Sequence, residues 1–201
     1  MNERVHKDMG GLAATLDFDA ELMLRVKDGD GASFAILLEK HRSPVIHFLY
    51  RMVQNQAVAE ELAQEVFLRV YRSRGSYEAT AKFTTWLFRI ATHLALNSLR
   101  DGKHRRLEEH LDDDTSETPA RQVPDQRPTV EQRMLHQSRL DEIRRAVATL
   151  PEKQRAAVLM HKYEEMEYSQ IAKVLNCSES AIKSLLFRAY ETLRARLAHM
   201  A

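Results

Sequence analysis

The chain has 201 residues, 44% of them hydrophobic, a formal net charge of +1 and a single cysteine. That is apolar material for one large or two small cores, and the near balance of charge excludes a whole-molecule field that would by itself draw the chain to nucleic acid. One cysteine excludes an internal disulfide and fits a reducing cytoplasm, where the chain is expected to work.

Six Gly and five Pro are few for this length, and Leu, Ala, Glu, Arg and Gln abound, so the expected fold class is all-α: two small helical domains on a flexible linker. The opening MNERVHKDMGG has no signal-peptide core, and no apolar run approaches the roughly 18 residues of a membrane span, so a soluble protein without membrane insertion is expected. Residues 1–18 read as a flexible segment. A short helix is expected over Asp19 to Lys27, broken by Asp28-Gly29-Asp30-Gly31. From Ala32 to Tyr50, Phe34, Leu37, Leu38, His41, Val45, Phe48 and Leu49 keep helical spacing, and Pro44 is expected to start a new turn or bend the old one.

Between Ala57 and Tyr71 the apolar stripe is Ala59, Leu62, Ala63, Val66, Phe67 and Val70. The opposite side carries Glu60, Glu61, Gln64, Glu65 and Arg69, which pattern alone reads as solvated surface. Arg72 to Lys82 is polar and reads as a loop, after which Thr84 or Thr85 is expected to cap a helix through Ile90 and Leu94 towards Arg100. On that helix Trp86, Arg89, His93, Asn97 and Arg100 share a face leading into the basic cluster that ends at Arg106. Aromatics beside cations can stack bases and hold phosphates of unpaired strands, and the plain alternative on pattern alone is a half-buried Trp with solvated charges.

Residues 107–128 hold Pro119, Pro124, Pro128 and an acidic run, and read as a linker. Domains are therefore expected at 19–106 and 129–201. Thr129 with Gln132 can cap a helix carrying Leu140, Ile143, Val147 and Leu150, and Pro151 suits the first turn of the next. Tyr168 to Arg194 then has the pattern of a helix-turn-helix: Ile171, Ala172 and Leu175 answer Ile182 and Leu185, Asn176 can take the left-handed turn, and Ser169 and Ser178 can act as caps. Cys177 is expected to pack in the core. Ser180, Lys183, Ser184, Phe187 and Arg188 form a face apart from Ile182, Leu186 and Ala189, and short hydroxyls with long cations suit a major groove.

Taken together, AEELAQEVFLRVY, FTTWLFRIATHLALNSLR, the linker and LPEKQRAAVLMHKYEEMEYSQIAKVLNCSESAIKSLLFRAYETLR resemble, in order and spacing, the second and fourth conserved regions of the extracytoplasmic-function (ECF) branch of the bacterial sigma-70 family. The resemblance implies an RNA polymerase sigma factor that directs core enzyme to promoters and promotes strand opening. It implies that Glu60, Glu61, Gln64, Glu65 and Phe67 dock on the clamp helices of the polymerase beta-prime subunit, with the beta subunit as a further contact. It also implies that Ser76, Tyr77, Lys82, Trp86, Arg89, His93, Asn97 and Arg100 take the non-template strand of the -10 element. Ser180, Lys183, Ser184, Phe187 and Arg188 would read the -35 element as duplex, and an anti-sigma factor is an implied partner.

Thr92, His93 and Asn97 stand where many members have an Arg-Asn pair and then Asp, and Ala181 and Leu185 replace the usual Thr and Arg. Those replacements remove a hydroxyl and a cation from the DNA-facing neighbourhood and imply weaker phosphate anchoring at the -35 element. No phosphate-cradling glycine motif is present, so strand opening is expected to draw on binding energy, without a cofactor. Two rival readings remain: a helix-turn-helix regulator that binds operator duplex without polymerase, and a metal enzyme. The second finds no HExxH or CxxC motif, so no catalytic or metal residue is expected.

Overall fold

A computed structural model describes residues 17–108 and 130–200, with side chains from 17–102 and 137–200. Among the described residues there are helices and no strand. The first is α1, Phe18–Lys27, followed by α2, Gly31–Val53. Asp30 stands at the N-cap of α2 and accepts from Ala32 N at 2.9 Å and Ser33 N at 3.2 Å, which meets two of the helix's free first-turn amides. Hydrogen bonds from Ser33 and these amides hold its carboxyl below the ordinary carboxylate range.

Of the two outcomes expected at Pro44, a new turn does not start there: α2 runs through it. An interior proline costs about 3 kcal/mol, but Leu37, Val45, Phe48, Leu49 and Met52 are all buried on this helix, and each full burial is worth about 1.5–3 kcal/mol. Packing wins. Helix α2 ends at Gln54, which takes the left-handed conformation at φ 57° and donates its N–H to Tyr50 O at 2.8 Å.

Helix α3, Gln56–Arg72, is capped by Asn55, whose side chain accepts from Val58 N at 3.0 Å. The expected loop after it contains a 3-10 turn over Arg74–Ser76. Helix α4, Phe83–Glu108, starts before either threonine proposed as its cap. Its first amide is met from far along the chain: Phe83 N donates to Asp17 Oδ2 at 3.3 Å. Just below, Asp19 is buried yet satisfied, accepting from Lys40 Nζ at 2.6 Å and meeting His41 Nε2 at 2.9 Å. Burial pulls the His41 imidazole below its ordinary value, against the opposing pull of Asp19. Phe48 meets Phe88 edge-on at 5.2 Å between centroids, joining α2 to α4 across this core.

The remaining helices are α5, Val130–Ala148; α6, Glu152–Tyr163; α7, Tyr168–Leu175; and α8, Glu179–Arg196. Pro151 is the N-cap of α6, one place earlier than expected. The expected linker 107–128 starts two residues too early, since Leu107 and Glu108 still belong to α4; its remainder and the proposed cap at Thr129 lie outside the described residues. Helices α6, α7 and α8 pack on one another, and α5 reaches both α8 and α2. What the sequence did not anticipate is that the two halves touch: α4 packs on α7 and α2 on α6, and one apolar cluster runs through both.

Candidate nucleic-acid interface

The helix-turn-helix forms as its residues require, with one change of cap. Asn176 is left-handed at φ 51° and ψ 57°, and Ser178 Oγ accepts from Ala181 N at 3.2 Å to start α8. The cap of α7 is Glu167, not Ser169, and Gln170 Oε1 accepts from Glu167 N at 2.9 Å. Ser169 therefore sits inside the first turn. Cys177 is exposed, which corrects its expected place in the core: it stands between the left-handed residue and the cap, where the chain has left the shared apolar seam.

Along α8, Ile182, Leu186 and Ala189 are buried while Ser180, Lys183, Ser184, Phe187 and Arg188 all face solvent. Phe187 is 67% exposed, a large ring that nothing in the fold covers. Ser184 Oγ donates to Ser180 O at 3.1 Å and Arg188 Nε to Ser184 O at 3.2 Å, which steadies the outer face without burying it. Leu185, at one of the departures from the family pattern, leans on the core.

The second expected DNA face lies on α4 and is assembled differently. Trp86 is half-buried and lies 4.9 Å from the Tyr77 ring and 6.0 Å from Phe83. Tyr77 is only 3% exposed, so in this conformation it cannot meet a strand itself and instead supports Trp86 from beneath. Burial pushes its hydroxyl up to about 12, with Asp17 and Asp19 adding to the shift. Ser76, Lys82, Arg89, His93 and Arg100 are exposed and Asn97 is half-buried. Ser76 Oγ donates to Ser73 O at 2.9 Å, and Arg100 Nε lies 3.6 Å from the Asp101 carboxylate. Two further cations, Arg69 and Arg72, border a hollow of about 420 Å³ with Trp86 and Ile90. Sequence reading treated Arg69 as plain solvated surface, although its place three residues before Arg72, at the end of α3 that packs on α4, was the available signal.

The proposed polymerase-facing set divides. Glu60, Gln64 and Phe67 line a groove of about 560 Å³ between α2 and α3, with Phe34, Leu38, Arg42 and Ile46 among the other walls. Phe67 is 7% exposed, so it forms the floor rather than a protruding contact. Glu61 faces solvent away from the groove walls, and Glu65 is turned towards Arg69, whose Nε donates to it at 2.6 Å. Among the described residues no group of three or more His, Cys, Asp and Glu is placed to hold a metal ion, and no helix is long and apolar enough to cross a membrane.

An N-terminal module with an apolar groove and an aromatic-cationic face thus stands ahead of a helix-turn-helix with a bare outer face. The models of Sigma-70 region 2 and Sigma-70, region 4 match residues 37–105 and 140–193. The RNA polymerase sigma factor CarQ of Myxococcus xanthus is 34% identical over 179 residues, covering 89% of this chain and 97% of that protein. The ECF RNA polymerase sigma factor SigW of Bacillus subtilis is 29% identical, covering 86% and 93%. Among solved structures, the sigma factor RpoE in complex with the anti-sigma factor NepR from Bartonella quintana superposes with a TM-score of 0.65 at 20% identity, over 82% of this chain and 96% of that one. The chain belongs to the sigma-70 family, in its ECF branch, and is an RNA polymerase sigma factor. The rival reading as an operator-binding regulator is not favoured.

Proposed function

We propose that residues 19–106 hold core polymerase and the unpaired -10 strand, and that residues 129–201 read the -35 element as duplex, joined by the segment 107–128. The observation that carries this division is the contrast in exposed chemistry. Helix α8 offers a stiff polar stripe of Ser180, Lys183, Ser184 and Arg188 around Phe187, suited to a groove, whereas α4 offers a ring with cations around it, suited to bases that have left the stack. Opening then draws on binding energy: unstacking costs a few kcal/mol per step, and each stacked base returns about 1–3 kcal/mol.

The α2–α3 groove is the docking surface for the beta-prime clamp helices, with Phe67 as floor and Glu60 and Gln64 as rim, and Glu61 as a contact beyond it. The beta subunit is a second polymerase contact. The same groove suits an anti-sigma factor, because Leu68 and Tyr71 on its wall remain 42% and 43% exposed. The chain acts in the cytoplasm, where polymerase is, and catalyses no reaction of its own.

The test is promoter binding by the chain assembled with core enzyme, measured over a salt series. Lys183→Ala and Arg188→Ala should each weaken -35 binding, and a residue that contacts phosphate should lower the salt slope by about one. An unchanged affinity and slope for both variants would remove α8 as the duplex reader.

A further inference from the structure

The cleft between α4 and the first helix of the helix-turn-helix has a chemistry of its own. It encloses about 600 Å³, within the roughly 300–1,000 Å³ usual for small-molecule sites, and Arg89 and His93 on its wall are open to solvent. Three cations reach it from three helices: Arg69 near the end of α3, Arg89 on α4 and Lys153 in the first turn of α6. Glu65 accepts from Arg69 Nε at 2.6 Å and offsets part of that charge, but no acidic side chain stands among the described walls. Like charges gathered around one hollow repel one another, so the arrangement favours an anion with several charges.

The remaining walls narrow the choice. Trp86 is half-buried there beside Ile90, Leu96, Val174 and Leu175, an aromatic ring among aliphatic side chains. A bare phosphate has no use for such a surface, whereas a base stacks on it. Thr92, also on the wall, is 2% exposed, and its Oγ1 has no hydrogen-bond partner among the described residues. A buried hydroxyl left unpaired is costly, and a polar ligand in the cleft would relieve it.

We propose that this cleft binds a free nucleoside polyphosphate, with the base on Trp86, the phosphates on Arg89, Lys153 and the outer nitrogens of Arg69, and Thr92 Oγ1 bonded to the ligand. The proposal stands without the strand assignment made above, although each unit of an unpaired strand has similar chemistry and Trp86 and Arg89 serve both readings. Lys153 separates them, because it lies in the C-terminal half and lines the cleft without belonging to the face assigned to the strand. Where both readings hold, nucleotide and strand compete for Trp86.

Trp86 is the chain's single tryptophan, so its fluorescence reads occupancy directly. Titration of the full chain with ATP or GTP, in the absence of polymerase and DNA, should quench it saturably. By calorimetry, adenosine, which lacks the phosphates, and tripolyphosphate, which lacks the base, should each bind at least about tenfold more weakly, equivalent to about 1.4 kcal/mol. Lys153→Ala and Thr92→Val should each weaken ATP binding severalfold, while Lys153→Ala should leave binding of a mixed-sequence single-stranded DNA oligonucleotide unchanged. ATP binding with no oligonucleotide binding at all upholds the site and counts against the strand assignment alone. If Thr92→Val loses its helical circular dichroism, the exposed Lys153 decides. Tripolyphosphate binding as tightly as ATP would reduce the cleft to a patch of cations, and equal losses of ATP and oligonucleotide in Lys153→Ala would make it part of the strand's path. Either result overturns the proposal, as does a lack of saturable binding by both nucleotides or ATP binding unchanged in Lys153→Ala.

Discussion

The two nucleic-acid faces of this molecule differ in availability. On α8 the reading face is complete and bare, since its side chains point away from a seam that needs only α6 and α7 to close. On α4 the face is mixed: Trp86 is half-buried and underpinned by Tyr77 and Phe83, Arg89 and His93 are exposed, and Val174, Leu175 and Asn176 of the other half stand across a cleft from them. A duplex presents its groove ready-made, so its reader can be rigid and permanently exposed. An unpaired strand exists only after opening, and an aromatic-cationic face left wholly open would bind any single strand it met.

The largest expected effect sets two phenylalanines against each other. Phe88→Ala, on the buried side of α4 at 1% exposure, should cost about 3–5 kcal/mol in urea denaturation, whereas Phe187→Ala, at 67% exposure, should change stability by less than about 0.5 kcal/mol. Equal costs would mean that α8 is not bare. Trp86→Ala comes next: open-complex formation should fall by an amount equivalent to about 1–3 kcal/mol, with polymerase binding and circular dichroism retained. Loss of fold instead would make Trp86 a core residue and erase the contrast.

The smallest effect concerns the contact between the halves. Glu164, at the end of α6, has its carboxyl pushed by burial from 4.5 up to about 7, with Arg51 pulling the other way. A raised carboxyl favours the folded chain while protonated, and that contribution is present below 4.5 and lost as pH climbs through about 7. Glu164→Gln should therefore be more stable than the parent at about pH 8 and lose that advantage as pH is lowered. An advantage independent of pH would detach Glu164 from this contact.

Much of the division was legible in the residues, because it follows local periods. The stripe of α3, the buried and bare sides of α8, the left-handed Asn176 and the Ser178 cap all depend on neighbours within one or two turns. What escaped depends on partners far along the chain. Pro44 is tolerated because of the packing around α2, and the start of α4 is met by Asp17 rather than by its own threonines. Arg155 sits in a run, EKQRAAVLMHKY, whose period places it on the helix but not under a carbonyl of α2. Cys177 was misplaced for a smaller reason: a shift of one residue in a tight turn moves a side chain from seam to surface, while the cap expected at Ser169 falls two residues earlier, at Glu167.

Permanganate reactivity of promoter thymines tests the central claim most directly. With the chain and core enzyme together, thymines of the -10 element should become reactive, and Trp86→Ala should suppress that reactivity while leaving protection of the -35 duplex intact. Loss of both signals together in the folded variant, or reactivity unaffected by the substitution, would contradict a molecule that reads paired and unpaired DNA with separate faces.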